Sequence, residues 1–276
     1  MDTYERSCAH WSESGRDEME SFYALASVDY RYLAESRDWA AWLGHHQIRV
    51  GSGHLRLLDV ACGSGKFPAA LLKYVSGMEQ VGEVCYDLLD PSAFSIEETR
   101  RVLRSPFVAE NDMAIPLQRL SAVEAYDVAW ATHALYAVPV AELDGALARL
   151  LRAMRPGGEI FIAHGHRDGH YVDFYRRFLE AFRDGRGTPY CAVEDIVASI
   201  ERLGAPYEVR TLEYENGVAE SARDTVEGYL QRCVFDDSLS LDALVDHPIT
   251  GSYLAGCRQE GQWRFAQRVG LVTVRV

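Results

Sequence analysis

No run of 18 consecutive apolar residues occurs in this 276-residue chain, so a membrane-spanning helix is not expected. The opening residues, Met1-Asp2-Thr3-Tyr4-Glu5-Arg6, lack the basic and apolar regions of a secretory signal. Six cysteines stand at 8, 62, 85, 191, 233 and 257, with no C-x-x-C pair among them. Cys62 and Cys85 fall inside expected core elements, which reads as free thiols in a reducing, cytoplasmic setting. Positive charge is scarce. Lys and Arg total 28 against 41 Asp and Glu, a formal net charge of −13, and that field repels phosphate backbones. Nucleic acid and membrane are therefore not expected as partners. Repeats and low-complexity tracts are also missing. What remains is 48% hydrophobic residues, enough to bury a large core as one elaborated domain or two small ones.

The most informative stretch is Leu57-Leu58-Asp59-Val60-Ala61-Cys62-Gly63-Ser64-Gly65-Lys66-Phe67. Apolar residues and an acid end a strand, a small-residue turn follows, and a helical pattern opens at Phe67, Leu71 and Leu72. Glycines let a ligand approach the backbone, and a helix N-terminus offers unpaired N–H groups. The D-x-x-x-G-x-G spacing lacks the third glycine of the dinucleotide fingerprint. It resembles motif I of class I S-adenosylmethionine (SAM)-dependent methyltransferases, where the acid and glycines surround the aminocarboxypropyl end of SAM. A second strand over 82–90 closes in Asp90-Pro91-Ser92, with Asp90 25 residues beyond Gly65. A carboxylate there can accept both hydroxyl protons of a ribose, while Asp90 or Ser92 could instead cap the helix expected over 94–103.

Residues 15–48 read as helical, and Gly51-Ser52-Gly53 separates them from the first strand. A third strand is obscure within 105–120. A clear strand spans 127–132, a helix spans 141–154, and Arg155-Pro156-Gly157-Gly158 stops it before a strand at 159–163. Strands then recur at 207–214 and 269–274. The alternation predicts an α/β, Rossmann-like fold, a seven-stranded and mostly parallel sheet with helices on both faces and an antiparallel final edge strand. Residues 1–50 are expected as a helical lid and 51–276 as the SAM-binding domain. Substrate-covering insertions are expected near 165–190 and 218–260.

Asp90-Pro91-Ser92-Ala93, His133-Ala134-Leu135-Tyr136-Ala137-Val138, Glu194-Asp195-Ile196 and Leu203-Gly204-Ala205-Pro206-Tyr207-Glu208 follow one another as in histamine N-methyltransferase. Over roughly 17–276 the chain resembles that family of small-molecule methyltransferases. The resemblance implies SAM as cofactor, contacted by Asp59, Ala61, Gly63, Gly65, Asp90, Pro91, Ser95, Thr132 and His133, with Asp112 on the adenine side. It places His133, Tyr171, Tyr175 and Asp29 at the reacting end, and Tyr30, Tyr136 and Gln267 around the acceptor. Asp29 would attract a cationic amine. His133 would take a proton or hold a neutral nitrogen, and the two tyrosines, at helical i, i+4 spacing, would face the sulfonium.

His164-Gly165-His166-Arg167-Asp168-Gly169-His170 resembles the H-x-H-x-D-H signature of metallo-β-lactamase-like hydrolases, with one residue too many before His170. A loop with one histidine facing the pocket is the favoured expectation, and no metal is assigned. The function expected is methyl transfer to a nitrogen, or an oxygen, of a small amine-containing metabolite. One alternative is a SAM-binding enzyme that cyclises or cleaves SAM's own aminocarboxypropyl group, releasing methylthioadenosine. A zinc-dependent hydrolase built on 164–170 and a non-catalytic SAM-binding protein are the others.

Overall fold

A computed structural model describes residues 3–51 and 53–276; Met1, Asp2 and Ser52, which figured in the readings of the N-terminus and the glycine break, lie outside the described residues. Three helices come first, α1 (Thr3–His10), α2 (Arg16–Glu35) and α3 (Trp39–Val50). Asp38 starts α3 by accepting the Ala41 amide at 2.9 Å. Strand and helix then alternate as β1 (Leu55–Val60), α4 (Lys66–Tyr74), β2 (Val84–Leu89), α5 (Ala93–Val102) and β3 (Phe107–Met113). β4 (Tyr126–Thr132), α6 (Leu143–Ala153) and β5 (Met154–Gly165) follow. The last part holds α7 (His170–Phe182), α8 (Val193–Arg202), β6 (Tyr207–Ala219), α9 (Arg223–Val234), α10 (Leu241–Asp246), α11 (Pro248–Gly256), β7 (Arg258–Gln259) and β8 (Gln262–Arg275).

The sheet runs β3-β2-β1-β4-β5-β8-β6, with the two-residue β7 paired to β8 as an eighth strand. β3 through β5 are parallel, and β8 is antiparallel to both β5 and β6. The final strand therefore inserts inside the sheet and β6 forms the edge, whereas the sequence reading put the last strand outermost. Arg155-Pro156-Gly157-Gly158, expected as a turn, lies within β5. The Gly157 N–H donates to Val276 O and the Val276 N–H to Gly158 O, so the end of the chain pairs with it. The 164–170 run, expected as a loop, is split: His164 and Gly165 end β5 and His170 begins α7.

Both sheet faces are covered. Trp39 and Leu43 of α3, with Phe67 and Leu71 of α4, pack on one face against Leu57, Tyr86, Trp130 and Phe161. Leu143, Leu147 and Leu150 of α6 and Ile196 and Ile200 of α8 cover the other. A third core joins α2 to α7, α9 and the first part of β8, through Tyr23, Phe174, Tyr229 and Phe265. The N-terminal segment thus divides. α3 belongs to the sheet's own layer, and α2 packs with the insertions that follow β5 and β6.

Candidate functional site

A cavity lies past the carboxyl ends of β1, β2 and β4, where ligands bind in open α/β sheets. Its floor is Asp59 to Gly63, Leu89 to Pro91 and Thr132 to Val138. Tyr4, Ser7 and Cys8 of α1, Trp11, and Phe22, Tyr23, Asp29 and Tyr30 of α2 roof it, with Tyr171 and Tyr190 at the side. Counted as space open to the centre of a water molecule, it holds about 170 Å³. That is on the order of ten times what one water needs, so it is a ligand cavity rather than a solvent void.

At one end the turn after β1 takes the left-handed backbone at Ala61, Gly63 and Gly65 (φ 51°, 56° and 69°). The Gly63 N–H donates to Asp90 Oδ2 at 3.0 Å and the Ser92 N–H to Asp90 Oδ1 at 2.8 Å. Asp90 therefore clamps the glycine turn to the end of β2. Ser92 is the residue that caps α5, accepting the Ser95 amide, which leaves Asp90 free of that duty. Burial pushes the Asp90 carboxyl up to about 6. Asp59 accepts the Tyr86 hydroxyl at 2.6 Å. Burial first, and the neighbouring Asp90 charge second, push its carboxyl up to about 7 despite that bond.

At the other end, β4 closes at Thr132 and His133 also takes a left-handed backbone (φ 53°), an uncommon conformation for a residue with a side chain. His133 Nδ1 lies 2.8 Å from the Tyr136 hydroxyl, while its Nε2 is buried with no protein partner. Burial, with His164 nearby, lowers the ring's pKa to about 3, so it is neutral at physiological pH. Rings of Tyr30, Tyr136 and Tyr171 stand 5.9 to 6.1 Å from the imidazole. Asp29 is buried and accepts the Tyr171 hydroxyl at 2.5 Å and the Asn216 amide at 2.9 Å. Burial outweighs those bonds and pushes its carboxyl up to about 6.

Asp29, Tyr30, Asp59, Ala61, Gly63, Asp90, Pro91, Thr132, His133, Tyr136 and Tyr171 thus meet on one cavity. Five other expected residues do not line it. Tyr175 is fully buried, stacked on Tyr190 at 3.7 Å, and its hydroxyl meets Thr3 and Arg6 of α1. Asp112 is ion-paired with Arg100 on the surface. Ser95 is buried in the first turn of α5. Gln267 sits behind the cavity, donating to the Tyr229 hydroxyl at 3.1 Å. Gly65 leaves room for a helix: a Cβ there would stand 2.4 Å from Val102 Cγ2 of α5.

Pro116, Leu117 and Gln118, in the stretch where no element was legible, line the cavity beside Asp90. So does Lys66, whose Nζ lies 4.5 Å from the centre of the Tyr23 ring and whose pKa burial lowers. Its place next to Gly65 was a signal available in the sequence.

The histidines of 164–170 diverge. His164 bonds Cys191 O, His166 meets Glu194 and Thr211, Asp168 pairs with Arg268, and His170 meets the Tyr253 hydroxyl. Their ligand atoms are not gathered as a zinc site requires. Among the described residues the three-ligand grouping is His54, Glu83 and Cys85, at the starts of β1 and β2 and away from the cavity.

Residues 58–160 match the methyltransferase domain family. Over that stretch, from β1 into β5, the chain is similar to methyltransferase domains. SAM is the cofactor that this match implies, and the residues at the cavity fit it: an acid and a left-handed glycine at the β1 turn, a ribose-competent Asp90, and an unpartnered His133 Nε2. Over 153 residues the chain is 27% identical to 2-phytyl-1,4-naphtoquinone methyltransferase of Synechococcus elongatus. That match covers 55% of this chain and 63% of the cyanobacterial protein's length. Magnesium protoporphyrin IX methyltransferase of Synechocystis PCC 6803, solved with S-adenosylhomocysteine, shares the fold at a TM-score of 0.56. There the identity is 15%, over 98% of this chain and 97% of that one. A Thermotoga maritima SAM-dependent methyltransferase, described as a possible histamine N-methyltransferase, is 13% identical over 96% of this chain and 98% of that one, at a TM-score of 0.49. No helix of the chain is long and apolar enough to cross a membrane, among the described residues.

Proposed function

We propose that the protein transfers a methyl group from SAM to a nitrogen of a small amine metabolite. The observation that carries this reading is Asp29, a buried carboxylate on the cavity wall, oriented by Tyr171 and Asn216 and surrounded by aromatic rings. A buried anion needs a compensating cation, and an ammonium group supplies one. An extended apolar quinone, the substrate class named for the cyanobacterial relative, would leave the charge uncompensated.

Bound SAM supplies an electrophilic methyl on a sulfonium, with S-adenosylhomocysteine as the leaving thioether. Asp59, Gly63 and Lys66 would hold the aminocarboxypropyl end, and Asp90 would hold the ribose. Asp29 draws the ammonium in and takes its proton; a carboxyl pushed up to about 6 is a better proton acceptor than an exposed one. Removal of that proton by Asp29 would leave the nitrogen lone pair bare, the form in which it could accept the methyl that SAM would supply. Tyr30 and Tyr171 offer ring faces to the positive charge throughout, and α1 and α2 act as a lid that excludes water. Enclosure and net charge together favour a small molecule over nucleic acid.

The test is incubation of the purified protein with SAM, first alone and then with a panel of small amines. Mass spectrometry should show SAM surviving alone, and S-adenosylhomocysteine with a methylated amine in the panel. Methylthioadenosine and a four-carbon amino acid from SAM alone would replace this reading with the intramolecular one.

A further inference from the structure

The two nitrogens of His133 have unlike surroundings, and a proton count distinguishes them. Among the described residues the Tyr136 hydroxyl has two hydrogen-bond neighbours, the Gly165 amide at 3.1 Å and His133 Nδ1 at 2.8 Å. The amide can only donate. With a proton on Nδ1, the hydroxyl oxygen would accept twice, its own hydrogen would find no acceptor, and Nε2 would be a bare buried lone pair. With Nδ1 bare, the order amide to hydroxyl to Nδ1 uses every hydrogen, and the ring's proton sits on Nε2. That arrangement leaves one unmade bond instead of two, on a residue that lines the cavity.

The relay is held rigidly. The Tyr136 ring lies 4.0 Å from that of His164, which is anchored on Cys191 O. Gly165 admits the hydroxyl because it has no side chain; a Cβ would lie 3.1 Å from that oxygen. The groups facing the imidazole are Tyr30 of α2, Tyr171 of α7 and His164 of β5, none of them a cation in this buried setting. Tyr171 also connects the two ends of the acceptor space, since its ring meets His133 and its hydroxyl meets Asp29.

We propose that Tyr136 locks His133 in the Nε2–H tautomer, making His133 a fixed hydrogen-bond donor and not a base, so that the methyl acceptor carries a hydrogen-bond-accepting atom in addition to its amine. A carbonyl, a carboxylate or a bare ring nitrogen has the required chemistry. The acceptor half rests on the amine reading of Asp29; the tautomer does not.

Long-range proton–nitrogen correlation spectra of 15N-histidine-labelled protein test the lock. The expected result is a neutral ring protonated at Nε2 from pH 5 to 8, and a mixture of tautomers in Tyr136→Phe. A proton on Nδ1, titration within that range, or a Tyr136→Phe spectrum like the wild type would overturn it. The acceptor half is tested by titrating β-alaninamide and isopentylamine, which share an outline but not a carbonyl, into the S-adenosylhomocysteine-loaded protein. The first should bind at least tenfold more tightly, His133→Gln should keep the preference, and His133→Phe should lose it. Equal affinities, or no binding of either, would overturn that half. Failure of the methyl-transfer reading would show separately, as no S-adenosylhomocysteine release with any amine, while the tautomer spectra stood unchanged.

Discussion

Asp29 is costly to ionise, and the proposed amine chemistry gives its ionised form a use. Its carboxyl rises from 3.8 to about 6 on burial, which corresponds to about 3 kcal/mol of stability withheld from the folded protein at neutral pH. The sign follows from the raised value. The stabilising effect of the protonated acid is fully present below the unfolded pKa near 4 and is lost as pH rises through about 6. Buried His46, His133, His164 and His170, all lowered, act oppositely below pH 6.5, so the pH curve of the wild type alone mixes both. The difference between wild type and Asp29→Asn isolates the carboxylate. Asn216 Oδ1, buried and unpartnered, can accept the new amide after a side-chain flip, so the variant should fold. Urea denaturation should find the two proteins equally stable near pH 4 and the variant ahead by about 3 kcal/mol at pH 8, while its kcat/KM for amines falls about a hundredfold or more. A variant less stable at pH 8 would mean that Asp29 is a structural anion and not a site kept at a cost.

The glycine turn shows what a motif conveys and what it conceals. Asp59, Gly63 and Asp90 were legible because the acid, the turn and the second acid are spaced as the backbone geometry demands. The same pattern could not say that Gly65 serves α5 instead of the ligand. Gly65→Ala drives a Cβ into Val102 and Thr99 at a φ of 69° and should cost about 3 kcal/mol of stability. Gly63→Ala meets no atom closer than the Tyr23 hydroxyl at 3.8 Å, so it should cost about 1 kcal/mol and weaken SAM binding instead. Thermal melts and SAM titrations of both variants check the contrast; equal destabilisation would contradict it. Helical spacing misled in a comparable way at Tyr171 and Tyr175. Four residues advance a helix by about 6 Å. One tyrosine therefore reaches the cavity while the next turn's tyrosine meets α1. β3 was obscure because it is an edge strand, Phe-Val-Ala-Glu-Asn-Asp-Met, whose polar residues are largely exposed and break any apolar alternation.

At the scale of the whole molecule, the helices before β1 were legible as helices but not as two different things. Periodicity reports an apolar face and is silent about which surface it meets, so α3 on the sheet and α2 over the cavity read alike. α1 is tied by Thr3 and Arg6 to Tyr175 and by Arg232 to His10, and α2 is tied to α5 by Arg16 and Glu98. A ligand beneath them touches sheet and roof at once, so binding should stabilise the roof more than the sheet. S-adenosylhomocysteine at a hundred times its Kd should raise global stability by about 2.7 kcal/mol. Hydrogen exchange should slow most in residues 3–15, whose opening is local, and least in β1 and β4, whose exchange already needs global unfolding. Tyr175→Phe, which removes the hydroxyl that Thr3 and Arg6 share, should speed exchange of α1 in the free protein and widen the difference made by the ligand. Exchange of α1 that is indifferent both to the ligand and to Tyr175→Phe would mean that the cavity is filled through some other movement and that α1 is fixed wall.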